Sequence, residues 1–280
     1  MFKSRKWNLI LITPGLAGLI IFWIIPLIAQ VYYSFTAYFD HKFTGLDNMV
    51  QLFRNKIFLM SMKNTLFLTI ILVVVTIILS FILAYWIWTS KLSKQLISFI
   101  VVPIIIPTTV VSFTWELIFG NSTGINSLIN GLGFNSVNFQ SNALVVVQVT
   151  FLYMWKYIGL GTIILISSFE TTQRELSEVY YLDSKKVLGR IRHVIIPQII
   201  PKIVFLLYIL FMFSFNISQD ITTLWGSYPP NNLYTLQNFI NNNFMKLNYE
   251  MTSSAANIIV VFACLVIFVL SGIERRYQYD

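Results

Sequence analysis

Long apolar runs alternate with short polar stretches along this chain. A bilayer core about 30 Å thick is crossed by about 20 apolar helical residues, and six runs reach that length. They lie at about 9–33, 65–88, 96–119, 143–169, 199–217 and 251–273. The first belongs to a charge-free stretch from Trp7 to Phe39 whose aromatic end, Tyr32 to Tyr38, suits a membrane interface. Lys3, Arg5 and Lys6 precede it, yet it outruns the roughly 7–15 apolar residues of a signal peptide, so it reads as a retained helix. Pro103 and Pro107 interrupt the third run and Pro201 opens the fifth. Bends are expected there, because proline leaves a carbonyl that neighbouring groups must satisfy.

Composition supports the same elements. Hydrophobic residues make up 56% of the 280 positions and charged residues only 11%, against roughly 25% charged in soluble domains. Too little charge is present to cover a water-soluble surface, and the mean hydropathy of +0.73 excludes a disordered chain. The expected fold class is an all-α membrane protein of six transmembrane helices, one transmembrane domain over residues 1–280.

The net charge of +8 changes meaning once it is placed. Thirteen Lys and Arg fall on one side of the six spans: Lys3, Arg5, Lys6, Lys91, Lys94, Arg174, Lys185, Lys186, Arg190, Arg192, Lys202, Arg275 and Arg276. Five fall on the other, and Lys156 lies inside a span. The rich side is expected in the cytoplasm, with both termini there. The basic excess is then topological, and nucleic acid is not an expected partner; the lipid bilayer is. Cys264, His41 and His193 are too few for a metal-ligand cluster. None of the twelve glycines precedes a lysine, so the chain lacks the Gly-Lys-Ser/Thr element that cradles ATP phosphates.

The segment after the fourth span is unusual. Between Glu170 and Pro197, Leu176, Val179 and Tyr180 share one helical face and Val187, Leu188 and Ile191 another, with Asp183-Ser184 as a turn between them. Glu170, Glu175 and Glu178 precede that turn, while Lys185, Lys186, Arg190 and Arg192 follow it. An interfacial amphipathic loop accounts for the periodicity. The segregated charges suit docking to a soluble partner, and a further helix is expected to start near Pro197.

Here the chain resembles the binding-protein-dependent ABC importer permeases. Their cytoplasmic loop has the form Glu-Ala-Ala, three residues, Gly, nine residues, Ile-x-Leu-Pro. Glu178 fills the Glu, Asp183 the acidic position before the glycine, and Val194-Ile195-Ile196-Pro197 the closing element; Val179, Tyr180 and Ser184 depart from the small residues. Pro14-Gly15, Pro26, Ser34-Phe35-Thr36, Gly45-Leu46-Asp47-Asn48, Asn64-Thr65, Gly124-Ile125-Asn126 and the stretch from Gly226 to Leu236 resemble the sugar-permease branch. The resemblance implies a permease subunit for a carbohydrate in a bacterial cytoplasmic membrane, forming half of the pathway. It implies a second homologous permease, two ABC ATPase subunits that use ATP and Mg, and an extracytoplasmic substrate-binding protein. No cofactor is expected on this chain, and no enzyme activity. A cytoplasmic coupling-helix loop over about 170–197 is implied, with Glu175, Glu178, Val179, Tyr180, Asp183, Ser184 and Pro197 at the ATPase.

Residues for the solute are sought inside the spans, where ionisable groups are rare and face an interior. Lys156, flanked by Tyr153, Trp155 and Tyr157, sits near mid-helix, although a lysine can also snorkel to the interface. Gln148 lies eight positions away on the same helix, on a roughly similar face. Glu116 is near a span end and could be wetted. Phe215, Asn216, Gln219 and Asp220 close the fifth run. Polar groups among aromatic rings suit sugars, whose hydroxyls need hydrogen bonds and whose C–H faces stack, but 45 aromatic residues would place some rings beside polar groups anyway. A secondary transporter or channel for a polar solute is the alternative, and no internal repeats or mid-membrane carboxylates are apparent for it.

Overall fold

The computed structural model describes residues 12–37, 42–90, 94–120, 124–170, 189 and 191–278. Its helices are α1 (Ile12–Ser34, with a π-turn at Ile20–Ile24), α2 (Asp47–Arg54), α3 (Lys56–Ser90), α4 (Lys94–Val101) and α5 (Thr108–Phe119). They continue as α6 (Gly124–Gly131), α7 (Asn142–Glu170), α8 (Ile196–Trp225), α9 (Leu236–Met245) and α10 (Tyr249–Gln278). Among the described residues five helices are long and apolar enough to cross a membrane, and a sixth span forms if the bent pair around Pro107 counts as one.

The sequence pattern misplaces some ends, for local reasons. α3 starts nine residues before the apolar run, because Asn55 Oδ1 accepts from the backbone N–H groups of Ile57 and Phe58 at 2.9 and 3.3 Å and so caps a turn there. The third run is broken as its prolines require. α4 passes into a 3-10 turn at Val102–Ile105, Pro107 is extended, and α5 restarts at Thr108 after a bend of more than 40°. The fifth helix outlasts its apolar run by eight residues, ending at Trp225 rather than Ile217. Pro197 falls in its first turn, where the missing N–H costs little. Gly226, with φ at +74°, ends it by donating its N–H to the Thr222 carbonyl at 2.8 Å.

The chain forms two compact units, Met1–Met60 with Phe239–Ala263, and Ser61–Asn238 with Cys264–Asp280. In the first, α1 is apolar and almost wholly exposed, the arrangement lipid permits and water does not. A polar relay holds its end. Gln30 donates to Asn257 at 2.9 Å, Asn257 to the Ser34 hydroxyl at 2.8 Å, and Asn48 to the carbonyls of Ser34 and Thr36, both at 3.1 Å. Phe53, Phe58 and Phe239 pack edge to face.

The second unit holds the main core, where Leu68, Leu72, Val149, Leu152, Leu206 and Leu210 are almost fully buried. Two glycines of α7 set its closest approaches. A Cβ on Gly159 would strike the backbone of Ile100, and one on Gly161 would come within 2.8 Å of Ser80 Cβ. Ser80 also donates its hydroxyl to the Ile158 carbonyl at 3.2 Å.

Candidate functional site

Lys156 is the fifteenth of the 29 residues of α7, and Asp220 lies five residues before the end of α8. The Lys156 Nζ stands 3.0 Å from both carboxylate oxygens of Asp220. The two residues are only 6% and 3% exposed. α8 also packs against α5, which starts at Thr108. The ammonium lies 5.9 Å from the Tyr157 ring centroid, and that ring stacks on Phe213 at 4.7 Å and packs against Tyr153 at 4.6 Å. Pairing explains how α8 carries a carboxylate inside a helix of membrane-spanning length: two opposite charges in bidentate contact replace two isolated ones.

The expected solute residues divide into three groups. Tyr153 is fully buried and donates its hydroxyl to the Leu210 carbonyl. Trp155 is half-buried, 5.9 Å from Trp115, which also packs on Phe151 and Phe119. Gln148 is buried too, but it does not join Lys156; its amide donates to the Phe139 carbonyl at 2.6 Å. Eight residues advance a helix by about 80° beyond two full turns, enough to turn Gln148 from the charge pair. Glu116 is exposed on α5.

The third group is on α8. Met212, Asn216, Gln219 and Thr223 are exposed at spacings of four, three and four, so they form one face, with Phe215 half-buried beside it. The exposed row of α3 has the same periodicity and different chemistry: Phe67, Ile70, Val74, Ile78, Ile82 and Trp86. A wholly apolar row suits lipid. Carboxamides do not, since an unsatisfied polar group in hydrocarbon costs several kcal/mol.

Polar ties that sequence reading missed hold the end of α8. The Asn64 amide donates to the carbonyls of Asn231 and Tyr234 at 2.5 and 3.0 Å, and the Leu236 N–H donates to the Thr65 hydroxyl at 2.8 Å. Asn238 donates to Thr222 at 2.9 Å, and Trp225 to Gln140 at 2.9 Å. Asn64-Thr65 and the stretch from Gly226 to Leu236 each stood out in the sequence, but nothing there joined them across about 170 positions. Of the coupling residues, Glu175, Glu178, Val179, Tyr180, Asp183 and Ser184 lie outside the described residues, while Pro197 is exposed in the first turn of α8.

No family model matches the chain. It aligns over 97% of its length, and 89% of the relative's, with the arabinooligosaccharides transport system permease protein AraP of Bacillus subtilis, at 25% identity. The sn-glycerol-3-phosphate transport system permease protein UgpA of Escherichia coli O6:K15:H31 is 24% identical over 99% of this chain and 95% of its own. The structure superposes with a TM-score of 0.83 on a bacterial ABC transporter involved in the import of the acidic polysaccharide alginate, at 21% identity over 98% of this chain and 96% of that one. Over nearly its whole length the chain is similar to ABC importer permeases, and it shares their fold. Those relatives are transport system permease proteins by name, and the apolar helices of this chain are those of a multi-pass membrane protein.

Proposed function

We propose that this permease forms half of the translocation pathway of a carbohydrate importer in a bacterial cytoplasmic membrane, with both termini in the cytoplasm. The observation that carries the reading is the polar face of α8. Asn216 and Gln219, flanked by Phe215, offer hydrogen bonds beside an aromatic edge, the combination that sugar hydroxyls and C–H faces use. That face meets water and cargo between this subunit and a second, homologous permease, while the apolar row of α3 meets lipid. The carbohydrate assignment also draws on relatives: AraP is a permease for arabinooligosaccharides, UgpA for sn-glycerol-3-phosphate, and the alginate transporter imports an acidic polysaccharide.

Energy enters from separate ATPase subunits that use ATP and Mg. Their contact is the loop over about 170–197, through Glu175, Glu178, Val179, Tyr180, Asp183 and Ser184, with Pro197 opening the helix that the loop moves. Cargo arrives from an extracytoplasmic substrate-binding protein, as the alginate transporter's complex with its periplasmic protein suggests by analogy. The test is uptake in membrane vesicles carrying the whole importer, with Glu178→Lys beside the unaltered chain. Expected is uptake that needs ATP, survives collapse of the proton gradient, and is lost in Glu178→Lys together with ATPase co-purification, while membrane insertion is kept. Uptake driven by the gradient alone would overturn the importer reading in favour of a secondary carrier.

A further inference from the structure

α7 ends at Glu170 and the helical run leading into α8 begins at Ile191, so these are the two helices that flank the loop. Lys156 and Asp220 join them with two contacts of 3.0 Å, and α8 packs against α5, where the third span restarts at Thr108 after its break. Three separate elements, α5, α7 and α8, therefore pack together through the helix that carries Asp220.

Apart from the Tyr153 hydroxyl on the Leu210 carbonyl, the rest of the α7–α8 contact is mainly apolar: Leu152, Leu165, Leu206 and Leu210 belong to the same buried cluster. Apolar packing is non-directional and does little to oppose small sliding of one helix along another, the shear by which packed helices move. A bidentate ion pair has a fixed geometry, and separating it would leave two buried charges unpaired. At 6% and 3% exposure neither partner is open to cargo in this state. Their role must be sought in how the helices move.

We infer that Lys156 and Asp220 are positioning residues that make α7 and α8 move as one body, so that displacement of the loop reaches the break at Pro107–Thr108 undiminished. The inference rests on the coupling role proposed for the loop.

The readout is cargo moved per ATP hydrolysed by the whole importer in vesicles, which a purely structural role would leave unchanged in any variant that assembles. In Lys156→Met/Asp220→Leu, two apolar side chains replace the pair and the helices still pack; the ratio is expected to fall by about 5-fold or more. In a Cys264→Ser background, Lys156→Cys/Asp220→Cys is bridged by a short bifunctional thiol reagent and then reduced. Bridging should restore the ratio and reduction should lower it again. An unchanged ratio in the Met/Leu variant, or bridging that abolishes uptake, overturns the inference, the second because the pair would then have to open. Normal uptake in Glu178→Lys would instead end the coupling reading, and the bridged-to-reduced difference would still decide the pair.

Discussion

The Tyr153 hydroxyl of α7 donates to the Leu210 carbonyl of α8 at 2.5 Å, deep in a core where both residues are fully buried. That carbonyl belongs to a helix and uses its second lone pair, so the bond adds a tie between spans without removing one from α8. Tyr153→Phe keeps the ring and deletes only the donor. The expected loss is about 0.5–1.5 kcal/mol, seen as earlier thermal unfolding of the purified importer, with uptake retained. Lost uptake at unchanged stability would assign the hydroxyl to cargo.

Lys156 and Asp220 should respond asymmetrically to single and double replacement. Lys156→Met alone, or Asp220→Leu alone, leaves an uncompensated charge in the core and is expected to destabilise by about 3–5 kcal/mol. The double variant removes both charges and should return most of that stability. Thermal unfolding of all three in detergent checks it, and a double variant no better than the worse single would mean that the charges act independently.

Glycine positions separate packing from backbone effects. Gly159→Ala drives a methyl into the Ile100 backbone, and overpacking of this kind typically costs about 1–3 kcal/mol. Gly272 has nothing within 4 Å of an added Cβ, so Gly272→Ala on α10 should gain about 0.5–1 kcal/mol from helix propensity alone. Folded yield in the membrane and unfolding temperature should move in opposite directions for the two.

Asn216→Leu and Gln219→Leu test the exposed face of α8. Each removes a polar group without disturbing the core, so assembly should persist. Loss of one cargo hydrogen bond, about 1.4 kcal/mol, corresponds to roughly tenfold in half-saturating cargo concentration. If both variants assemble and transport normally, the pathway lies elsewhere; Ile70→Asn on the apolar row of α3 should instead reduce insertion.

Much of this was legible because the signals are local. A long apolar run measures itself against the bilayer, so α7 was placed within a residue at each end despite Lys156 near its middle. Proline acts on its own turn, so the break before Thr108 was expected. Lys156 and Asp220 stood out as rare charges in apolar surroundings, yet they were read as separate solute contacts. Two opposite charges in mostly apolar helices were a signal for pairing, although 64 positions separate them.

Membrane class, the apolar runs and the break before Thr108 were determined by the sequence alone, because each depends on residues within a turn or two of one another; the bend expected at Pro201 was not, since α8 runs through it. Which face of α8 is buried, that Asp220 turns toward Lys156 while Asn216 and Gln219 turn outward, and that Asn64 reaches Asn231 were decided only by tertiary structure. Those relationships depend on how helices distant in the chain approach and rotate against each other, and apolar periodicity says little about rotation when a helix is apolar on nearly every side.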